Sequence, residues 1–187
     1  MSKWFLYFLL YSFAGYGLEK LYARLSHASH QVRKCFLLLP LCPVYGLAMT
    51  ALLALAPEGI GFFPLMILGG AVCTGVEFAV HLFYDKIFAV RFWDYTAMKG
   101  HVHGRICPHF ALVWGILSAV SVRLIHPFAA ALAEMVPSWA AFLLWVLLAA
   151  DCVLSAALLW RFQDTEALAW GAALRQTRAV SQSSTSW

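Results

Sequence analysis

Residues 61–85 read GFFPLMILGGAVCTGVEFAVHLFYD, an apolar run that polar side chains interrupt only near its end. The apolar part, residues 61–83, has about the ~20 residues that a helix needs to cross the hydrocarbon core of a membrane. Glu77, His81 and Asp85 follow one another at intervals of four, so a helix places all three on one face. The stretch therefore predicts a transmembrane helix with a polar stripe toward its C-terminal end.

The composition of the whole chain also indicates a membrane protein. Of its 187 residues, 63% are hydrophobic and 12% are charged, and the mean hydropathy is +0.76. Soluble domains are roughly half apolar and a quarter charged, and one core of this size could not bury so much apolar surface. The net charge of +4 comes from basic residues scattered at segment ends and not from a basic stripe. We therefore expect no nucleic-acid partner.

Five apolar runs have the length of a membrane span. They are residues 4–22, 35–56, 61–83, 107–125 and 139–160. We predict an all-α polytopic membrane protein of about five transmembrane helices, with residues 1–160 as a single transmembrane domain. Residues 161–187 form a predicted cytoplasmic tail, which is amphipathic at first and disordered where the sequence reads SQSSTSW.

The distribution of Lys and Arg predicts the orientation of the spans. Eleven of the 13 Lys and Arg residues lie in the connections after the first and third runs or in the tail, and only Lys3 and Arg123 lie on the other side. Basic residues accumulate in cytoplasmic loops. We therefore predict an outside N-terminus and a cytoplasmic C-terminus, in a bacterial inner membrane.

The cysteines and histidines predict no cofactor. All five cysteines lie within or at the edge of apolar runs, so we expect no structural disulfide. There is no C-x-x-C pair for a thiolate zinc site. A weaker alternative is an imidazole–carboxylate metal site built from HVH at 101–103 with His109, Glu77 and His81.

The connection at residues 84–106 does not have the composition of a solvated loop. It contains RFWDY at 91–95, where aromatic rings stand beside charges, and HVHGR at 101–105. One interpretation is an aromatic belt in the headgroup layer whose basic residues meet lipid phosphates. The other is an interfacial or re-entrant segment that folds against the bundle and closes a polar cavity. In this second interpretation Arg105 pairs with a carboxylate.

Ionisable side chains inside the apolar runs favour the cavity. Glu19 lies near the end of the first run, and Glu77 lies within the third. Such groups are costly in a membrane unless they are paired or hydrated, so they normally face the interior of a bundle. The alternative is that they pair with basic residues only to lock the helices together. Asp151, midway along the fifth run, has no obvious partner at its depth.

Prolines and glycines predict local features of the helices. Pro40 and Pro43 each remove a backbone donor, so the second helix should be broken or bent there. Gly69 and Gly70 in the third run, and Gly15 in the first, predict close contacts between helices.

Four motifs, in chain order, resemble the CmpB-like family, whose label is "putative ABC-transporter permease" and to which vertebrate transmembrane protein 229 is similar. The motifs are YSFAGYGLE (11–19), LPLCPVYG (39–46), DKIFAVRFWDY (85–95) and HVHGRIC (101–107), followed by Trp-Gly at 114–115 and His-Pro at 126–127. The chain departs from the family pattern at Tyr16, Arg33, Lys34, Cys35 and Leu39, and it has Asp85 and His101 where the family has Glu and Asn. The resemblance implies a permease-like protein and names no substrate. Since GxxxxGK[ST] does not occur, ATP-driven transport would need another subunit.

We predict a small transporter-like membrane protein with a polar cavity open to the cytoplasm. The predicted substrate- or ion-binding residues are Glu19, Glu77, His81, Asp85, Trp93, Asp94, Tyr95, His103 and Arg105. In this hypothesis Arg105 meets an anionic group, and the carboxylates meet a cation or a proton. A protein of this size needs a homo-oligomer or a partner subunit to enclose a pathway, with membrane lipids around it.

Two alternatives stay open. An intramembrane enzyme acting on a lipid or isoprenoid would use Glu77 or Asp94 as acid and base, with His103 or His81 as its partner. Trp93 would then line the apolar half of the pocket together with Tyr95. A structural or assembly subunit would use the polar groups only to fix the register of the helices.

Overall fold

The computed structural model describes residues 3–25 and 35–168. Within these ranges the chain is all-α, apart from an isolated bridge between Val102 and Ile106. Five helical rods correspond to the five apolar runs. They are α1 (Lys3–Leu25), α2 (Pro43–Leu55), α3 (Phe62–Ile87), the rod that joins α4 (Pro108–Val120), a π-helical turn (Ser121–Ile125) and α5 (His126–Met135), and α6 (Ser138–Phe162). A 3-10 turn, Thr165–Leu168, follows α6.

The lengths and sequences of these rods confirm an all-α membrane protein. Three are long and apolar enough to cross a membrane, namely α3, the Pro108–Met135 rod and α6. The α2 helix is apolar but has only 13 residues, and α1 has the length of a span but a less apolar sequence. The tail predicted from residue 161 lies mostly outside the described residues, so its disorder stays a prediction.

The second apolar run contains the break that its prolines predicted. Residues 35–42 have no regular structure, and the helix begins only at Pro43. A proline is well suited to the first turn of a helix, where its missing N–H would have had no helical partner. The span predicted at 35–56 is therefore a short helix preceded by an irregular, bent segment of eight residues, which we call the 35–42 segment.

Asp151 of α6 holds the 35–42 segment in place. Its carboxylate accepts hydrogen bonds from the backbone N–H groups of Leu38 at 3.2 Å and Leu39 at 3.1 Å. The hydroxyl of Ser155, one turn further along α6, accepts a second hydrogen bond from Leu38 at 3.3 Å. The expectation that Asp151 lacks a partner is wrong, because the broken helix supplies backbone donors that the sequence alone does not place there. Its side chain replaces hydrogen bonds that a continuous helix would have made.

The connection predicted at residues 126–138 is wrong for most of its length, because the fourth rod continues as a helix to Met135. Pro127 gives a physical reason for the π-helical turn before α5. It has no N–H to donate to the carbonyl of Arg123, so the regular pattern of helical hydrogen bonds is interrupted there.

The rods pack in an antiparallel order. The α1 helix packs on α2 and α5, α2 packs on α3, and α3 packs on α4. As a result α1 and α3 run toward the side of the bundle from which α2 and α4 start, and we call this end the polar end. The start of α2 lies beside Ser12, so the C-terminal half of α1 extends beyond it. The α6 helix also ends there, where Leu159 packs near Tyr84 of α3. At the opposite end Leu6 of α1 packs with Ala133 and Ala141.

Small residues bring α3 and α4 into close contact, as the predicted glycine pair suggested. A Cβ atom added to Gly115 would lie 2.6 Å from the carbonyl oxygen of Met66, and one added to Gly69 would lie 1.9 Å from the hydroxyl of Ser118. Both distances are shorter than van der Waals contact. The two helix backbones can therefore approach this closely only where side chains are absent.

We expect Gly115→Ala to lower the melting temperature of the purified protein in detergent. Overpacking of a tight contact costs about 1–3 kcal/mol, and the atom that must move here belongs to a backbone. Gly75→Ala is the matched control, since nothing lies within 4 Å of its added Cβ and alanine is the better helix former by about 1 kcal/mol. A G115A protein as stable as G75A would contradict the close contact.

Candidate functional site

Glu77 lies at the centre of the polar face of α3. This face buries Gly69, Cys73, Glu77 and His81 at intervals of four residues, as the sequence predicted. Glu77 is only 4% exposed, and both of its carboxylate oxygens act as acceptors. The Tyr95 hydroxyl donates to Oε1 at 2.7 Å, and the Trp114 indole N–H donates to Oε2 at 2.9 Å. A carboxylate in an apolar bundle is thus held by two neutral donors from two other segments.

Glu19 has a similar arrangement between α1 and α2. It is 6% exposed, and its Oε1 accepts a hydrogen bond of 2.6 Å from the Tyr45 hydroxyl. The ring of Tyr45 lies over Gly15, where an added Cβ would be 2.3 Å from the ring. The backbone N–H of Cys42 donates to the carbonyl of Ser12 at 2.8 Å. The motifs YSFAGYGLE and LPLCPVYG therefore fit together to position Glu19.

The two carboxylates line a common cavity of about 180 Å³. The cavity extends from the middle of α1, α3 and α4 toward the polar end, and residues 35–42 and 92–93 also contribute to its wall. Its aromatic lining residues are Tyr11, Phe36, Tyr45, Tyr84, Phe92, Trp93 and Trp114. The Tyr45 and Trp114 rings, which each donate to one of the carboxylates, meet edge to face at 5.5 Å.

The segment between α3 and α4, residues 88–107, folds back against the bundle, as predicted. We call it the re-entrant segment. Its backbone is closed by a hydrogen bond of 2.8 Å from the N–H of Tyr95 to the carbonyl of Gly104. The Trp93 indole N–H donates to the carbonyl of Arg105 at 3.0 Å. Gly104 has a φ of +71°, and an added Cβ would lie 2.6 Å from a carboxylate oxygen of Asp94. This compact fold directs the hydroxyl of Tyr95 to Glu77.

Arg105 pairs with a carboxylate, and the partner is Asp85. The guanidinium donates to Oδ2 of Asp85 at 2.7 Å, while Arg91 donates to Oδ1 at 3.2 Å. The side chain of Arg105 is 15% exposed and stacks at 5.9 Å over Phe78. Neither Arg105 nor Asp85 is among the described residues that line the cavity. Their ion pair lies at the C-terminal end of α3 and anchors the re-entrant segment there.

His81 is buried beside the cavity but does not line it. Its Nε2–H donates to the carbonyl of Trp93 at 3.1 Å, which leaves Nδ1 as the acceptor of the neutral ring. This Nδ1 is buried and has no hydrogen-bond partner among the described residues. Trp93 itself lines the cavity, so the bond from His81 positions one part of the wall.

Asp94 and His103 are exposed and lie outside the cavity. The backbone N–H of Thr96 donates to Asp94 at 2.8 Å and holds the pKa of that carboxyl below its ordinary value. His103 has a φ of +52° and belongs to the turn that precedes Gly104. Both predicted site residues thus lie in the segment between α3 and α4 and outside this cavity.

The described ranges bring together no group of three His, Cys, Asp or Glu residues that could hold a metal ion. His101 instead accepts a hydrogen bond of 3.0 Å from the N–H of Gly104 through its Nδ1, and His109 is exposed at the start of α4. The constellation of HVH with His109, Glu77 and His81 is therefore not assembled in this structure.

Three aromatic residues of the site are absent from the binding residues that the sequence predicted. Tyr45 and Trp114 donate to the two carboxylates, and the hydroxyl of Tyr11, which lines the cavity, is hydrogen-bonded to Nδ1 of His126 at 3.1 Å. The signal for them was their presence in the motifs: Tyr45 in LPLCPVYG, Tyr11 in YSFAGYGLE and Trp114 in the Trp-Gly pair.

The model of a family described as "Putative ABC-transporter type IV" matches residues 6–156. This range contains all the described residues that line the cavity. No curated protein and no solved structure is significantly similar to the chain.

Proposed function

Since the chain belongs to the family described as "Putative ABC-transporter type IV", we propose that it is a small membrane transporter whose substrate binds in the cavity beside Glu19 and Glu77. The observation that carries this proposal is the convergence of two buried carboxylates on one cavity inside an apolar helical bundle. Ionisable groups at such a depth are costly and commonly mark a substrate or ion pathway. The family membership makes transport the preferred use of the cavity.

We assign the polar end to the cytoplasm and the cavity mouth to this end. The assignment follows from the basic residues of the connections and of the tail, and it places the N-terminus outside. The wall nearest this end is formed by side chains such as Phe92 of the re-entrant segment and Cys35 of the 35–42 segment. These two non-helical pieces are the elements that could move to admit a substrate.

The contacts at the opposite end support a closed outer side. Tyr11 of α1 bonds to His126, and Arg123 donates to the carbonyl of Ile60. At the surface Lys3 pairs with Glu134 at 2.8 Å. The π-helical turn supplies Arg123 to these contacts and Ser121 and Ile125 to the cavity wall, and such turns recur at functional sites of helices. Outward opening would separate α1 from the α4–α5 rod at this turn.

The geometry is less suitable for the alternative of an enzyme acting on a lipid. His81 and His103 were the predicted acid–base partners of a carboxylate, but neither lines the cavity in the described part of the chain. Both oxygens of Glu77 accept hydrogen bonds, one from Tyr95 and one from Trp114 of the cavity wall. An oligomer or a partner subunit remains part of our proposal, because a chain of 187 residues needs other subunits to enclose a pathway. The exposed apolar side chains of α6, such as Leu143 and Val153, would face lipid or such a subunit.

A cysteine accessibility experiment distinguishes these functions. After the native cysteines are replaced, Leu18→Cys would place a thiol in the cavity wall, and a membrane-impermeant maleimide would be added to intact cells or to inverted vesicles. A transporter that alternates between two states should be labelled at position 18 rapidly from the cytoplasm and slowly from outside. Ser138→Cys and Lys99→Cys, both at exposed positions, are the controls for the two sides.

The outcomes separate orientation from function. We expect S138C to react only from outside and K99C only from the cytoplasm, and the reverse would overturn the orientation. Labelling of L18C from one side alone would contradict transport and favour an enzyme or a structural subunit. No labelling from either side would contradict an open mouth.

A further inference from the structure

The acidic side chains of the cavity wall have no basic side chain beside them in the described lining. Among the described residues that line the cavity, Glu19 and Glu77 are the carboxylates, and there is no Lys, Arg or His. The basic residues of the re-entrant segment, Arg91 and Arg105, are bound to Asp85 outside the lining. A negatively charged ligand would therefore meet two carboxylates and no cation in the wall, which would disfavour its binding.

Aromatic rings complete the wall on both sides of the carboxylates. Near Glu19 and Glu77 the Tyr45 and Trp114 rings meet at 5.5 Å. Toward the polar end Phe36 stacks on Tyr84 at 5.4 Å, and Tyr84 meets Phe92 at 4.7 Å. Aromatic faces attract organic cations, most strongly where water is excluded, and they also bind apolar groups.

Ser121 adds a neutral polar group to the wall. It is 7% exposed and lines the cavity from the π-helical turn. An apolar pocket with a few convergent polar groups is the usual form of a small-molecule site. The hydroxyl lies toward the end of the cavity that is lined by Tyr11 and Ile125.

The geometry points to an organic cation with an apolar body as the ligand of this cavity, that is, a quaternary or protonated amine that carries an aromatic or branched aliphatic group. The carboxylates supply the opposite charge, the rings supply cation–π and apolar contact, and the volume of about 180 Å³ limits the ligand to a small molecule. The inference rests on the proposed function for the role of the cavity, and it names the class of substrate.

Binding of benzyltrimethylammonium to the full chain in lipid nanodiscs tests this inference. Equilibrium dialysis of the radiolabelled cation, with empty nanodiscs subtracted, gives its affinity, and unlabelled competitors give the selectivity. The competitors are neopentylbenzene, which is the neutral isostere, and phenylmethanesulfonate, an anion. We expect each to compete at least tenfold less well than unlabelled benzyltrimethylammonium itself. We also expect Glu19→Gln to weaken cation binding, while Glu58→Gln in the exposed connection after α2 does not.

Equal competition by the neutral isostere would show that the cavity selects only apolar shape and would overturn the inference. Displacement by the anion, or no saturable binding of the cation, would overturn it as well. The comparison of ligands uses the unmodified protein, so it stays decisive even if E19Q fails to fold. It is also independent of transport: two-sided labelling of L18C without cation selectivity would leave the transporter and remove only this substrate class.

Discussion

Asp151→Leu is expected to destabilise the protein, although the new side chain suits a membrane helix better than the old one. Leucine cannot accept a hydrogen bond, so the N–H of Leu39 loses its acceptor, and the N–H of Leu38 keeps only the hydroxyl of Ser155 at 3.3 Å. A buried donor left unsatisfied costs about 1–3 kcal/mol, so D151L should cost about that much or somewhat more. The 35–42 segment also forms part of the cavity wall, so ligand binding should fall together with stability.

Thermal melting in detergent would rank three variants of α6. Asp151→Asn keeps one carbonyl acceptor, which can serve Leu39 while the Ser155 hydroxyl serves Leu38, so it should lose less stability than D151L. Ala150→Leu, at the exposed neighbouring position, introduces the same side chain toward lipid and should melt like the parent. If D151L had the same melting temperature as A150L, the 35–42 segment would not depend on this carboxylate.

The helical rods could be predicted from the sequence because each is a local feature of apolar length. The polar face of α3 was also predictable, since Glu77 and His81 follow the period of a helix. The path of residues 35–42 was only partly predictable. Pro40 and Pro43 indicate a break, but the acceptor that makes the break tolerable is 112 residues away from Leu39 in the chain. No local pattern connects the two.

The candidate site shows a similar division. Glu19 and Glu77 could be found from the sequence because a carboxylate in an apolar run is costly and needs a reason. Their donors could not be found in this way, since a Tyr or Trp near the end of a span is equally typical of the headgroup layer. The exclusion of Arg105 from the cavity depends on how the re-entrant segment closes on itself. Its backbone hydrogen bonds join residues that the sequence alone does not pair.

Glu77→Gln should weaken ligand binding and abolish transport while leaving the fold nearly unchanged. The amide oxygen can accept from the Trp114 indole, and the amide NH₂ can donate to the Tyr95 hydroxyl, which serves equally well as an acceptor. These two hydrogen bonds can thus persist, the one to Tyr95 with donor and acceptor exchanged, while the negative charge is lost. We expect a melting temperature close to that of the parent.

For Glu77→Gln we expect at least a tenfold lower affinity for benzyltrimethylammonium, or about 1.4 kcal/mol, and no uptake of this cation into proteoliposomes. Glu58→Gln is the control, because it removes an exposed carboxylate in the connection after α2, outside the cavity lining. Its binding and uptake should match the parent. Undiminished binding and uptake by E77Q would mean that Glu77 serves only as the acceptor that ties the re-entrant segment and α4 to α3. A loss of stability without a loss of affinity would lead to the same conclusion, because a ligand charge would then have no partner in Glu77.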